Sequence, residues 1–320
     1  MVIKKNMSYD IVGIGNAIVD IIAEVDDKYL SQNNIDKGSM SLIDFEIANK
    51  IGSEVEIIKI ISGGSVANSI VGISQQGLKT AFIGKVNHDD LGNEFKKGLM
   101  EENVEFKYSP DTSQNYTGRC IILVTSDAER TMNTYLGISQ QLTENDIDMK
   151  VIENSSILYL EGYLWDLDEA KNAIKKSILK AKTSSTLVAF SMSDAFCVDR
   201  FREEFFEIVN DFADIIFANE SEIKSLFQTD DLEYVKSECM KKNKIFAITL
   251  GSKGALIIKQ NEIFKIDPEI IDNLVDTTGA GDLFAAGFLS EYIKSQQIDS
   301  CGKFGVKLAS QIIQRFGARL

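Results

Sequence analysis

The chain has 320 residues, 44% of them hydrophobic and 26% charged, with a formal net charge of −14. That length can bury a sizeable core as one large domain, or one domain with an insert, and the acidic balance argues against a nucleic-acid or anionic-membrane surface. Cys120, Cys197, Cys239 and Cys301 stand far apart without metal-ligand spacing, and the single histidine, His88, lies in turn-like Asn-His-Asp-Asp. Histidine-rich metal sites are thereby excluded, and the cysteines are expected to be reduced thiols.

Tyr9 to Ile22 reads as a strand rich in β-branched residues, interrupted by Gly13, Gly15 and Asn16 and ending near Asp20. It carries no dinucleotide fingerprint, because the third glycine and a following helical pattern are missing. Asp20, set in an apolar stretch, is either a hydrogen-bonding anchor for a ligand or a structural carboxylate with a local partner. Residues 23–41 are polar and turn-rich, and Asp44 to Ile51 makes a short helix. A strand over Ile57–Ile61 runs into Ser62-Gly-Gly-Ser-Val-Ala-Asn68, where Gly63 and Gly64 open a helix and allow backbone to approach a ligand. Asn68 in that helix can both donate and accept, as recognition of hydroxyls requires. Ala67, Ser69 and Gly72 suggest tight packing along it. A strand over Thr80–Val86 and a helix over Leu91–Glu102 follow.

Between Val104 and Gly137 short strand-like runs such as Cys120–Thr125 and Thr131–Tyr135 are separated by turn residues, with Pro110 among them. This reads as a small β insertion, with which residues 15–41 could pair, placed as a lid. After Gly137, strands at Ile157–Leu164, Leu187–Met192, Ile215–Ala218, Phe246–Leu250 and Ala255–Lys259 alternate with helices centred on Ala173, Phe205, Ile223 and Val235. Such alternation implies a doubly wound, mostly parallel sheet flanked by helices, with ligands at the carboxyl ends of the strands. No apolar run approaches the roughly 18 residues of a membrane span. Lys4 and Lys5 precede Asp10 without an apolar run between, so a signal peptide is not expected and a cytoplasmic protein is.

The most informative stretch is Val275-Asp-Thr-Thr-Gly-Ala-Gly-Asp-Leu-Phe-Ala-Ala-Gly-Phe288. Thr278 is a candidate helix N-cap, and Leu283 to Leu289 is apolar on every side, the mark of a buried helix. Small residues at Gly279, Ala280 and Gly281 expose the N–H groups of a helix start, a ready anion site. A carboxylate there, Asp282, would repel a resting phosphate, and taking a proton from an attacking hydroxyl is a task that fits it. No P-loop pattern is present.

These motifs together resemble the ribokinase-like (PfkB) family of sugar and nucleoside kinases over nearly the full length. Gly63-Gly-Ser-Val-Ala-Asn68 followed by Gly84–Gly92 resembles the family's N-terminal signature. Asp276-Thr-Thr-Gly-Ala-Gly-Asp282 resembles the C-terminal one, and Asn219 and Glu222 match Asn-x-x-Glu. Asn87-His88 departs from the family, which often has glycine there. The resemblance implies one ribokinase-like domain over 1–320, its α/β core at about 1–14, 42–103 and 138–320 and a small β-sheet lid at about 15–41 and 104–137. It implies Asp282 as base and the backbone of Gly279, Ala280 and Gly281 as the phosphoryl cradle. It places the substrate hydroxyls on Asp20, Gly64 and Asn68, ATP on Asn219, Thr249, Gly251 and Gly254, and Mg²⁺ with its waters on Glu222. K⁺ beside Asp276, Thr278 and Gly317 is a further implied ion.

Lys37–Asp44, Glu129–Gly137, Glu161–Asp166 and Ser193–Arg200 resemble the family's bacterial adenosine-kinase-like branch, so the acceptor is expected to be a ribose-bearing molecule, adenosine first, with Met40, Tyr135 or Trp165 as candidates for a base slot. The alternative is a free sugar such as ribose, fructose or a ketodeoxy sugar acid, whose carboxylate Arg130 could meet. A non-catalytic ligand-binding regulator on the same fold would need no base. The expected assembly is a monomer or a homodimer paired through the lid.

Overall fold

The computed structural model describes residues 3, 4, 7–108, 115–127 and 129–320; Pro110 lies outside the described residues. In chain order β1 is Tyr9–Ile14, β2 Ile18–Glu24, α1 Asp27–Gln32, β3 Met40–Leu42, α2 Phe45–Glu54 and β4 Glu56–Ser62. Next come α3 Ser65–Gln75, β5 Thr80–Ile83, α4 Asp90–Glu101, β6 Glu105–Lys107, β7 Gly118–Val124 and β8 Arg130–Tyr135. The second half supplies α5 Met149–Glu153, β9 Ser155–Glu161, α6 Asp168–Thr183, β10 Leu187–Ser191, α7 Ala195–Glu207, β11 Ile215–Asn219 and α8 Glu220–Phe227. It ends with α9 Leu232–Met240, β12 Ile245–Thr249, β13 Ala255–Lys259, β14 Glu262–Ile266, α10 Ala280–Lys294 and α11 Ile298–Ile312. Aspartates start several helices: Asp26, Asp44, Asp89 and Asp194 each accept from a backbone N–H in the first turn. Such caps contribute about 1 kcal/mol each.

The large sheet runs β14-β13-β12-β11-β10-β9-β1-β5-β6, parallel from β12 to β6 and antiparallel at β13 and β14. Its inner strands, β5, β1 and β9 to β13, are apolar on both faces because helices cover both, while the edge strands β14 and β6 are partly exposed. Ile11, Tyr159 and Ala189 face the core under α3, α10 and α11, while Val12, Leu158 and Val188 face the core under α5 to α9. A second sheet, β3-β8-β7-β2-β4, is five-stranded and mixed. Leu283–Leu289 of α10 is buried throughout, as its all-round apolar pattern predicts. Among the described residues no helix is long and apolar enough to cross a membrane.

The structure corrects several boundaries. Tyr9–Ile22 is two strands rather than one: the chain leaves the large sheet at Ile14 and enters the small one at Ile18. β4 pairs with β2 in the small sheet, so the expected core range 42–103 takes in a lid strand. β6 extends the large sheet beside β5, so the lid does not begin at 104. Helix α1 sits in the stretch read as turns, opened by Asp26. Ile157–Leu164 ends as a strand at Glu161 and continues as a turn of 3₁₀ helix over Gly162–Trp165.

Candidate active site

Strand order changes direction at β1, which has β5 and β6 on one side and β9 on the other. A doubly wound sheet opens a crevice at that point, outside the carboxyl ends of its strands. A cavity of about 480 Å³ lies there, floored by Asn16 after β1, Glu161 at the end of β9, Ser191 at the end of β10, and Asn219 and Thr249 at the ends of β11 and β12. The start of α10 closes one side, and the small sheet covers it with Ile18, Met40, Leu42, Ile122, Met132 and Leu136.

Asp282 is held where α3 crosses α10. A Cβ on Gly72 would come within 2.9 Å of Ala286 and Leu283, so the small residues of α3 let the two helices touch. Ser69 Oγ then reaches the Asp282 carbonyl at 2.9 Å, Ser65 Oγ donates to Asp282 Oδ1 at 2.7 Å, and Asn68 Nδ2 donates to Oδ2 at 3.1 Å. Burial pushes the carboxyl up to about 6, against these hydrogen bonds and Arg319, which lower it. A base near neutrality is suited to accepting a proton.

Helix α10 begins at Ala280, and its N-cap is Gly279 in the left-handed region (φ 78°), not Thr278. A Cβ at Gly279 would also meet Ala318 at 2.7 Å, so both backbone and space demand glycine. The N–H groups of Gly279, Gly281 and Asp282 have no acceptor among the described residues, whereas that of Ala280 donates to Thr277 O at 3.2 Å. The open donors of the helix start thus differ by one from the expected set.

Asp20, on β2, faces the cavity, and its carboxylate receives no hydrogen bond among the described residues. Its carboxylate fills the space beside Gly63, where a Cβ would lie 2.4 Å from Oδ2. Burial pushes it up to about 6, against the pull of Arg319 and Arg130. Gly64 and Asn68 line the same cavity, so the three expected hydroxyl contacts come together.

Asn219 and Glu222 form a capping box: Asn219 Oδ1 accepts from Glu222 N at 2.9 Å, and Glu222 Oε2 accepts from Asn219 N at 2.9 Å. This satisfies the start of α8, yet Glu222 also lines the cavity, and burial with nearby Asp194 holds its carboxyl up at about 7. Thr249 lines the cavity, and Gly251 lines a shallow hollow beside it with Asn219 and Lys224. Gly254 lines neither; its left-handed turn (φ 83°) packs on the Ile266 carbonyl, a role in the turn into β13. Asp276, Thr278 and Gly317 do meet: Asp276 accepts from Thr278 N at 2.9 Å and Gly317 N at 3.0 Å, and also from the guanidinium of Arg130.

Three expected contacts fail. Arg130 is paired with buried Asp276 and does not stand free for a substrate carboxylate. Trp165 is 0% exposed among Phe190 and Phe205, inside the core. Tyr135 alternates with cavity-lining Thr134 and so turns outward, onto Phe45. Met40 alone of the base-slot candidates lines the cavity. His88 is exposed, and the four cysteines are buried and unbridged.

Sequence reasoning missed Asn16 and Glu161. Glu161 is 1% exposed and accepts from Asn16 N at 2.8 Å and Val66 N at 2.9 Å; burial raises it to about 7 in spite of those bonds. Asn16 is 4% exposed, and its Nδ2 has no partner among the described residues while facing the cavity. A carboxylate and an amide at the ends of two central strands were the available signals.

Residues 34–320 match the family model described as "pfkB family carbohydrate kinase". Adenosine kinase 2 of Arabidopsis thaliana is 25% identical over 98% of this chain and 96% of its own length. The structure of adenosine kinase from Sinorhizobium meliloti superposes with a TM-score of 0.91 at 38% identity, covering 98% of this chain and 96% of that one. A structure described as a probable sugar kinase from Rhizobium etli CFN 42 gives a TM-score of 0.91 at 39% identity, covering 98% and 95%.

Proposed function

This chain belongs to the pfkB family of carbohydrate kinases and is an ATP-dependent kinase; from that premise we propose that its acceptor is the 5′-hydroxyl of adenosine. The observation that carries the reading is the two-sided cavity. Donor-free Asp20 stands on one wall, and Ile18, Met40, Leu42, Ile122 and Met132 form an apolar wall beside it. Ribose hydroxyls suit the first, and the flat face of a purine suits thioether and aliphatic side chains. A free sugar, hydroxylated all round, has no use for the second. The likeness to the adenosine kinase of S. meliloti supports the same choice.

In this reading Asp282, oriented by Ser65 and Asn68, removes the proton of the 5′-hydroxyl. The oxygen forms a bond to the γ-phosphorus, the bond to the β–γ bridging oxygen breaks, and ADP leaves. The N–H groups at the start of α10 receive the charge on the transferring phosphoryl group. Among the described residues no cluster of three or more His, Cys, Asp or Glu forms a protein cage. Mg²⁺ held mainly by phosphate and water asks for one or two carboxylates, and Glu222 with Asn219 fits that need. When bound, the ion would neutralise phosphate charge. K⁺ beside Asp276 would have to share that carboxylate with Arg130.

A free sugar is the second reading, favoured by the likeness to the R. etli protein. Measuring kcat/KM for adenosine, ribose and fructose side by side tests the choice. Inert adenosine with an active free sugar would overturn it and leave the kinase intact.

A further inference from the structure

Arg319 is 251 positions from Asn68 in sequence, yet its Nε donates to Asn68 Oδ1 at 3.0 Å. Its Nη1 donates to Ser62 Oγ at the end of β4, and its Nη2 is enclosed with no acceptor among the described residues. A guanidinium has donors only. Asn68, itself 5% exposed, must therefore turn its oxygen to Arg319 and its NH₂ to Asp282 Oδ2, at 3.1 Å. Without that neighbour the carboxamide would be held at one end only, by its NH₂ on the carboxylate, with its oxygen left buried and without a donor. The chemistry of the partner, and not the fit of two similar atoms, assigns the amide.

We propose that Arg319 is a positioning residue for phosphoryl transfer: it fixes the Asn68 carboxamide, and through it the Asp282 carboxylate, while tying both to Ser62. The inference rests on Asp282 acting as the base. The charged groups around it are Asp20 from β2, Glu102 after α4 and Asp282 from α10, all of which act on Arg319. Arg130 on β8 also acts on Asp20, and Glu161 on β9 feels Asp282. Arg319 lowers both Asp20 and Asp282, so removing it raises them and demands a higher pH for the ionised base.

The test uses Arg319→Met and Arg319→Lys in the full chain, with the best acceptor among adenosine, ribose and fructose. Arg319→Met should lower kcat roughly 10- to 100-fold, the scale of a misplaced catalytic group, leave KM for ATP within about twofold, and move the acid limb of kcat/KM to higher pH. Arg319→Lys keeps the charge but not the fork, so the acid limb should return toward wild type while kcat stays low. An arginine that merely stabilises the fold would lower Tm and leave both in place. Wild-type kcat and acid limb in folded Arg319→Met overturn the proposal; if that variant does not fold, wild-type kcat in Arg319→Lys does the same. A ¹³C-carboxyl titration of aspartate-labelled protein, with Asp282→Asn assigning the signal, reads the link without turnover. Asp282 should titrate at higher pH in Arg319→Met, and an unmoved signal overturns the proposal. Full activity of Asp282→Asn would instead sink the base assignment, a separate outcome.

Discussion

The 2′-hydroxyl of the acceptor offers a sharp measurement. Asp20 presents a carboxylate with no donor among the described residues, held up at about 6 by burial. A hydrogen bond from a neutral hydroxyl to a charged acceptor is worth about 1.5–3 kcal/mol, and each ~1.4 kcal/mol is a factor of ten. Adenosine should therefore exceed 2′-deoxyadenosine in kcat/KM by roughly 10- to 150-fold at pH 8, with Asp20 ionised. Below pH 6 Asp20 takes up a proton, and the contact becomes an ordinary hydrogen bond worth about 0.5–1.5 kcal/mol. The ratio should then fall to roughly 2- to 10-fold at pH 5. Asp282 titrates in the same range but serves both nucleosides equally, so its ionisation cancels in the ratio. Parallel kcat/KM measurements from pH 5 to 8, with Asp20→Ala as control, provide the data. A ratio that stays flat with pH, or that survives in Asp20→Ala, refutes the role given to Asp20.

Asp282→Asn should lower kcat by roughly 10²–10⁴-fold, with ATP binding by equilibrium dialysis little changed. Excess EDTA should abolish transfer, and Glu222→Gln should raise the Mg²⁺ concentration at half-maximal rate; activity indifferent to EDTA would contradict the metal reading. Asp20 and Asp282 at about 6, and Glu161 and Glu222 at about 7, keep protons that an unfolded chain gives up at its ordinary carboxyl values. Stability of the ligand-free protein should accordingly fall as pH rises from about 5 to 7 and level off above, a trend that Tm against pH checks. Glu161→Gln should flatten part of that trend. It also sets an NH₂ against the N–H of Asn16 or Val66, at a cost of about 1–3 kcal/mol in a denaturant titration.

Much of the large sheet was legible because β5, β9, β10 and β11 are apolar runs each followed by a helix, a local pattern, whereas β6, the short Glu105–Lys107, offers none. The lid was legible only in outline. β2 pairs in parallel with β7, about a hundred residues on, and β4 pairs with β2; nothing in Glu56–Ser62 says which sheet it joins. At the site, Gly279–Asp282 and Gly63-Gly64 could be found because glycine marks places where backbone must come close. Asn16 and Glu161 carried only the weak signal of a polar residue at a strand end, and Arg319 none, since a lone polar residue looks alike whether it faces water or a buried partner. Arg130 misled for a related reason: its partner Asp276 is 146 positions away, and no spacing rule connects them.

The segment 313–319 has a consequence for how the protein is made. Val275 N donates to Ile313 O, Asp276 accepts from Gly317 N, Gly279 packs on Ala318, and Arg319 grips Asn68. Translation at about 5–20 residues per second produces these residues after the strands and helices they close upon. The strands of both sheets are made while the start of α10 still lacks Ala318 against Gly279 and Asn68 still lacks Arg319. If Asp282 is the base and Arg319 positions it, as proposed above, a chain ending before residue 313 should show no kinase activity, and one extended through Arg319 should regain it.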